Sequence, residues 1–420
     1  MNIKGFIIAA VLLLVVLVVR VSWFFLAEPP LSAGQQIFLQ GTLQQEPKVG
    51  NRGQLFTMKM PNNQAITVQT GFAPRYHYGD KLAIRGSLQA SSNEKGHVFY
   101  RLNYPHITQR AVADNIFSEA SIWIRRQSLA LISDILPPTS ASLLLGIVYG
   151  AKEDFPSRFN DALQSAGVFH VIAASGANVS FVVGALMFSL GTFLTRRKSL
   201  IVSIFGVIFY AFLVGFEPSI VRASLMAIVV FTASFLGRQM IACVALFLSA
   251  FCMLMWQPAF LLDVGFQLSC LATLGILCLQ RPVVRLLQPK EHKKKTLLAS
   301  WQEDLATTIA AEIAILPVIL SVFGKVGIVS ILVNALVLWT IPLLMVIGSV
   351  GVVVGLVFAP LGKLLLLLAL PLLLYFEAIV STLGGLGWNF SLDQLPWPFM
   401  VCYYLCLLAA LIFLRRRDAV

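Results

Sequence analysis

Two hydrophobic rhythms divide this chain. From about 31 to 107, apolar and polar positions alternate in short runs such as Ile37-x-Leu39-x-Gly41-x-Leu43, Leu82-x-Ile84-x-Gly86-x-Leu88 and Val98 to Leu102. Turn formers at Pro47, Pro61-Asn62-Asn63, Gly79-Asp80 and Asn93 to Gly96 separate these runs, so the pattern predicts about five short strands in a small all-β domain. An unbroken apolar run, Phe6 to Leu26, precedes it and is long enough to span a bilayer. A signal peptide is the competing reading, but Ala27-Glu28-Pro29-Pro30 is a poor cleavage site, and residues 1–27 are read as a retained anchor. After the β region, Ile116, Phe117, Ala120, Trp123, Ile124, Leu131 and Ile135 fall on one helical face, with Ser118, Ser121, Arg125 and Arg126 opposite. That predicts an interfacial amphipathic helix over 114–136, ended by Pro137-Pro138.

From 139 to 415 the rhythm changes to long apolar runs: about 168–194, 199–216, 220–236, 240–256, 261–279, 305–323, 327–358, 362–383 and 398–414. Placing the cytoplasm at Arg196-Arg197-Lys198, Arg238, Arg281 to Lys295, Lys363 and Arg415-Arg416-Arg417 makes every crossing alternate and leaves the β domain outside. Val326 to Phe358 is 33 uncharged residues, yet parity allows one crossing. A helix broken near Pro342 and Gly348, or a partly re-entrant segment, resolves the conflict. Ser140 to Gly167 starts apolar and then carries Lys152, Glu153, Asp154, Arg158 and Asp161, so it is expected to dip into the outer leaflet and return.

Composition turns this pattern into a class. With 58% hydrophobic and 12% charged residues, the chain has more apolar surface than a soluble core of 420 residues buries. The expected fold is an α-helical multi-pass membrane protein with a small extracytoplasmic all-β, OB-like domain inserted after the first transmembrane helix. The net charge of +12 is informative only through its location, because cytoplasmic loops collect Lys and Arg. All six cysteines fall in apolar segments and read as small packing residues rather than disulfides or metal ligands. From Glu28 to Ala113 there are nine Lys or Arg against four Asp or Glu, with aromatics beside the bases. Arg75-Tyr76-His77-Tyr78 and Phe99-Tyr100-Arg101 suit a single nucleic-acid strand, where bases stack on rings and phosphates meet cations, and equally an ordinary β surface.

The chemistry concentrates in His170 to Asn178, HVIAASGAN, a polar and small-residue patch inside an apolar stretch. Hydrocarbon solvates neither imidazole nor amide, so such a patch lines a wet path or packs on partners. Asp161, Glu217, Arg222, Asp263, Gln267, Glu312 and Asn334 are similarly placed, and Glu217 is within reach of a salt bridge to Arg222 across Pro218. His170 and Ser175 lie about 140° apart on a helix, which disfavours a hydrolase pair unless the helix bends at Ser175-Gly176. No Walker loop, GxGxxG or HExxH string occurs, so an ATP-driven motor is not indicated.

Leu143 to Gly146, then Phe159 through Ala166-Gly167-Val168-Phe169-His170-Val171-Ile172-Ala173-Ala174-Ser175-Gly176-Ala177-Asn178-Val179, is similar to the signature of the ComEC competence proteins, inner-membrane channels for DNA uptake. Further matches follow in that family's order: Pro218 to Met226, Gly265 to Ser269, Ala311-Glu312 to Pro317, and Asn334 before Pro342. The β region resembles the family's OB-like N-terminal domain. Asn178 stands where the family more often has His, which removes a titrating imidazole but keeps hydrogen bonding. The resemblance implies a channel passing single-stranded DNA from the extracytoplasmic side into the cytoplasm, in the bacterial inner membrane, and the charged loops place both termini on the cytoplasmic side. It implies no cofactor, and partners that include membrane lipid, an extracytoplasmic DNA receptor or pilus and a cytoplasmic helicase-like motor. No HxHxDH zinc set appears, so the chain is expected not to be an enzyme, and another protein supplies the nuclease for the second strand.

The expected path residues, lining or bracing, are Asp161, His170, Ser175, Asn178, Arg222, Gln267, Glu312 and Asn334. The expected DNA contacts outside are Arg75, Tyr76, Tyr78, Lys81, Arg85, Tyr100, Arg101, Arg125 and Arg126. Arg281 to Lys295 is either an exit contact or a topology-setting loop. Two rival readings use the same residues. One is a transporter or exporter of a smaller solute with a polar midplane site; the other is an outer-leaflet enzyme with Asp154, Asp161 and His170 as acid and base groups.

Overall fold

The computed structural model describes residues 3–27, 34–43, 47–50, 53–60, 65–76, 79–92, 98–110, 116–150, 155–168, 176–238, 240–287, 297–323, 325–327, 329–386, 389–391 and 396–417. Helix α1 (Ile3–Ala27) is apolar apart from Lys4 and Arg20, and the Arg20 guanidinium lies over the rings of Trp23 and Phe24. Eight strand pieces follow: β1 (Gln36–Thr42), β2 (Lys48–Gly50), β3 (Gly53–Lys59), β4 (Ala65–Thr70), β5 (Lys81–Ser87), β6 (Gln89–Ser92), β7 (Val98–Asn103) and β8 (His106–Arg110). They form a three-stranded sheet, β1-β5-β8, and a five-stranded sheet, β2-β3-β4-β7-β6. If β1/β2 and β5/β6 each count as one strand changing sheets, five strands close a circuit, with β4 and β7 parallel and the other pairs antiparallel. β8 is an addition on β5.

Period-two patterning explains the core of this domain. In β1, Ile37 and Leu39 point inward and meet Phe56, Met58, Ile66, Val68, Leu82, Ile84 and Leu102. Tyr76 also belongs to this core, 6% exposed and edge-on to Phe56, so it is not the surface stacking ring that its basic neighbours suggested. Burial, with the Asp80 carboxylate nearby, pushes its phenol above the usual tyrosine range.

Gln54 pins the loop that carries Tyr76. Its Nε2 donates to the carbonyls of Gly71 (3.0 Å) and Pro74 (2.7 Å), and its Oε1 accepts the Tyr76 N–H (3.0 Å). Thr70 Oγ1 also donates to the Gly71 carbonyl, so Gln54→Leu strands two groups, at about 1–3 kcal/mol each. The expected result is faster amide exchange in β3 and β4 with unchanged exchange in the helices. Equal exchange in wild type and variant would remove Gln54 from this role.

The helical part comprises α2 (Ile116–Ile135), α3 (Pro138–Tyr149), α4 (Ser157–Ser165), α5 (Gly176–Gly191), α6 (Arg196–Val214), α7 (Pro218–Phe235) and α8 (Ala242–Trp256). After a 3-10 turn, Pro258–Leu262, come α9 (Val264–Leu287), α10 (Leu297–Phe323), α11 (Ser330–Val337), α12 (Thr340–Val357), α13 (Ala359–Ile379), a π turn Val380–Gly384, and α14 (Trp397–Arg417). Two short strands, β9 (Lys325–Gly327) and β10 (Asn389–Ser391), pair antiparallel. Among the described helices six are long and apolar enough to cross a membrane. The chain is a multi-pass membrane protein with a small N-terminal β domain.

Several expectations change here. The 326–358 stretch is broken into α11 and α12 at Leu338-Trp339, not at Gly348. Pro342 explains the position, since a proline ring clashes with the carbonyl four residues earlier, here Leu338. Gly348 instead makes room for α3: a Cβ there would lie 2.9 Å from Leu144 and 3.0 Å from Val148. α3 itself is 12 residues and buried along most of its length, so it is too short to span, in keeping with a dip and return.

α2 buries part of the face expected to be polar, while Leu131 and Ile135 of the expected apolar face also pack against the core. Ser121, Ile122, Arg125, Ser128, Ile132 and Leu136 point inward, while Trp123 is 56% exposed. Its inner face meets α3, α6, α12 and α13, and hydroxyls that look polar in sequence are bonded there: Ser128 Oγ donates to the Ile124 carbonyl and accepts from Tyr149. Arg126 lies 3.5 Å from Asp80 and so ties α2 to the β domain, while Lys363 bonds Asp134 at 2.6 Å. The helix between these two anchors rises about 12 Å, less than half a hydrocarbon core. All six cysteines are free, and Cys243, Cys252, Cys402 and Cys406 stand on exposed faces rather than packing a core.

Candidate functional site

His170 and Ser175 lie outside the described residues, but both flanks of their segment are placed, and each ends on a polar station. Gly167, at φ +67°, abuts α11: a Cβ there would lie 2.6 Å from the Ser330 Cβ. Ser330 Oγ donates to Glu312 Oε1 at 3.0 Å, and Asn334 Nδ2 donates to the same oxygen at 3.1 Å. Ser330 and Asn334 are four residues apart, so one face of α11 presents both donors to α10.

The other flank ends at Arg222. A Cβ on Gly176, the first residue of α5, would sit 3.1 Å from Arg222 Nη2. The guanidinium is 5% exposed; Nε donates to Ser269 Oγ (2.8 Å) and Nη1 to Met226 Sδ (2.9 Å), rather than to Glu217. Among the described residues it has no carboxylate partner, although the N-terminus of α5 beside it adds further positive potential. Two positive features converging in a dry interior favour an anion between them.

A third set of contacts fixes the start of α5. Asn178, 1% exposed, donates from Nδ2 to the Ile147 carbonyl at 2.9 Å and hydrogen-bonds the Tyr210 hydroxyl. Tyr210 in turn donates to the Val148 carbonyl at 3.2 Å. These are last-turn carbonyls of α3, which have no partner inside their own helix, so α5 and α6 cap a helix end buried in the bundle. An amide does this without titrating, which accounts for Asn178 working where an imidazole is absent.

The remaining expected residues divide clearly. Gln267 Nε2 donates to the Leu261 carbonyl (2.8 Å) and braces the turn before α9, while Asp161 faces outward on α4. Sequence reasoning missed Ser269, Met226, Ser330 and Tyr210, and it also missed Glu377, a carboxylate inside apolar α13 that accepts a hydrogen bond from Ser140 at 2.5 Å. An ionisable residue in such a run is itself a signal. Two more hydroxyls, Ser203 on α6 and Ser224 on α7, are buried without a partner among the described residues. No group of three or more His, Cys, Asp or Glu that would suit a metal occurs among the described residues.

On the β domain, Arg75 and Arg85 are exposed, Lys81, Tyr100 and Arg101 are half-buried, and Tyr78 lies outside the described residues. Arg125 is buried and is not presented to a strand outside; Arg126 is exposed beside Asp80. Phe38, not singled out by sequence, is the residue that joins Arg85. The two are directly paired across β1 and β5, with His106 paired on β8, and all three are exposed. A cleft of about 380 Å³ is lined by Gln36, Ile37, Phe38 and Arg85.

Comparison with known proteins bears on the helical part. A family model described as Competence protein matches residues 147–417. ComE operon protein 3 of Bacillus subtilis (strain 168) is 26% identical over 243 residues, 57% of this chain and 30% of that protein. An uncharacterized protein of Aquifex aeolicus (strain VF5) is 32% identical over 136 residues, 32% of this chain and 32% of its own length. The chain thus spans about a third of the length of these curated relatives. No solved structure matches it. The matched region is more than half of the chain and contains Asn178, Arg222, Ser269, Glu312 and Asn334, and the chain belongs to the competence protein family.

Proposed function

We propose that this protein is a membrane channel that passes single-stranded DNA from the extracytoplasmic side into the cytoplasm during natural transformation. The observation that carries this reading is Arg222: a buried guanidinium at a helix N-terminus, braced by Ser269 and Met226 and without a carboxylate among the described residues. Phosphates moving through a bilayer need such polar and cationic points, spaced so that no single one holds the strand.

The β domain gathers the strand, and its circuit of five strands, with β1/β2 and β5/β6 each taken as one, supports reading it as an OB-like barrel. The row Phe38, Arg85 and His106 offers a ring for bases, a guanidinium for phosphates and an imidazole beside it, next to the Arg85 cleft. The chain supplies a path rather than a reaction. Force and removal of the second strand come from other proteins: an external receptor or pilus, a cytoplasmic helicase-like motor and a nuclease. The membrane is the bacterial inner membrane, with both termini on the cytoplasmic side.

The test is deletion of the gene followed by tracking of labelled DNA. Label is expected to bind at the cell surface and to stay accessible to added nuclease. Protected DNA at wild-type level in the deletion strain would sink the channel reading. Phe38→Ala combined with Arg85→Ala is expected to weaken single-strand binding by the purified protein at low salt by about 10-fold or more, since each stacked base contributes about 1–3 kcal/mol. Unchanged binding would take that face out of the path.

A further inference from the structure

We infer that Glu312, Ser330 and Asn334 form a binding site for one monovalent alkali cation inside the membrane. Glu312 lies within the apolar window Leu305–Val322 of α10, where an ionised carboxylate needs a counter-charge. No ion pair supplies one among the described residues; Ser330 and Asn334 donate hydrogen bonds, both to Oε1.

Asn334 adds a second, independent sign. Its side chain is 1% exposed, and its Oδ1 is buried without a hydrogen-bond partner among the described residues. The amide nitrogen on the same carbon bonds Glu312, so this oxygen belongs to the amide group that meets the carboxylate. A carboxylate, an amide oxygen and a hydroxyl oxygen thus belong to one buried, hydrogen-bonded group with acceptor capacity left over, and a hard cation is the ligand that such oxygens suit. One carboxylate balances one positive charge, whereas a divalent ion would leave a buried surplus.

The backbone around the site is of the kind that holds ions in membranes. α11 is a short helix broken from α12, and Gly167, at a left-handed φ, lies against Ser330. Broken helices leave carbonyls outside regular hydrogen bonding, and these complete the coordination of monovalent ions in transport proteins. The inference does not depend on DNA being the transported substrate.

The experiment uses the full detergent-solubilised chain, melted in sodium, potassium or choline chloride at equal ionic strength. Sodium or potassium is expected to raise the melting temperature over choline in a saturable way, and Glu312→Gln and Asn334→Leu are expected to abolish the difference. Equal melting of the wild type in all three salts overturns the site, as does a salt response that both variants retain. Should a variant fail to fold, radioactive sodium and rubidium binding to the wild type decides alone. Saturable binding of one ion per chain supports the site, and its absence for both ions overturns it. Cation binding by a chain whose deletion leaves DNA uptake intact would defeat the channel reading and leave this site standing.

Discussion

Cells carrying Arg222→Ala are expected to hold the protein in the membrane at wild-type abundance and to lose about two orders of magnitude in transformation. The magnitude follows from what the side chain does. Charge-assisted hydrogen bonds contribute about 1.5–3 kcal/mol each, so removing one from a phosphate in transit costs about 10- to 100-fold, and the fork of an arginine makes more than one. Arg222→Lys keeps the charge, but a single ammonium does not replace a planar fork braced at Nε by Ser269 and at Nη1 by Met226. About a tenfold loss is expected for it. The readouts are transformant frequency and nuclease-resistant label, with immunoblotting of membranes as the control. Wild-type transformation by Arg222→Ala would remove the guanidinium from the path, while its absence from the membrane would show it to be a folding residue.

Much of the architecture was legible because it rests on period. Alternation exposed the β strands, since side chains on successive residues point to opposite faces, and nearly every apolar run returned as a helix. What escaped depends on contacts between distant residues. Ser330 meets Glu312 and Gly167, and Asn178 meets Ile147, pairings that spacing along the chain does not encode. Part of α2 was misread because Ser121 and Arg125 look solvent-facing, and only the partners inside the bundle make them buried. The break before α12 was misplaced by a few residues for a local reason: the effect of Pro342 falls on the carbonyl of Leu338, one turn earlier. Of the candidate site, the polar residue types were readable and their grouping into two stations was not.

Gly362→Ala is expected to lower the melting temperature of the solubilised protein strongly and to deplete it from membranes. α12 and α13 form a hairpin whose backbones touch, and a Cβ on Gly362 would lie 2.2 Å from Gly355 Cα, 2.5 Å from Gly355 N and 2.8 Å from the Gly351 carbonyl. Overpacking against side chains costs about 1–3 kcal/mol, because those side chains find other rotamers. Backbone atoms have no such freedom, so the two helices must separate, and the expected loss is at or above the top of that range. Separation also removes Leu366 from the surface of Gly351 and Leu131 of α2 from Gly355, and it pulls Lys363 from Asp134. Gly184→Ala is the control, since a Cβ there meets nothing within 4 Å, and the gain in helix propensity makes it neutral or slightly stabilising. A Gly362→Ala chain melting with the wild type would show that the hairpin gives way cheaply. The contrast with Arg222 separates the two kinds of loss: at Gly362 transformation should fall in proportion to the protein remaining in the membrane, because the hairpin supports α3 at Gly348 and so the helix end that Asn178 and Tyr210 cap. At Arg222 it should fall with the protein still in place.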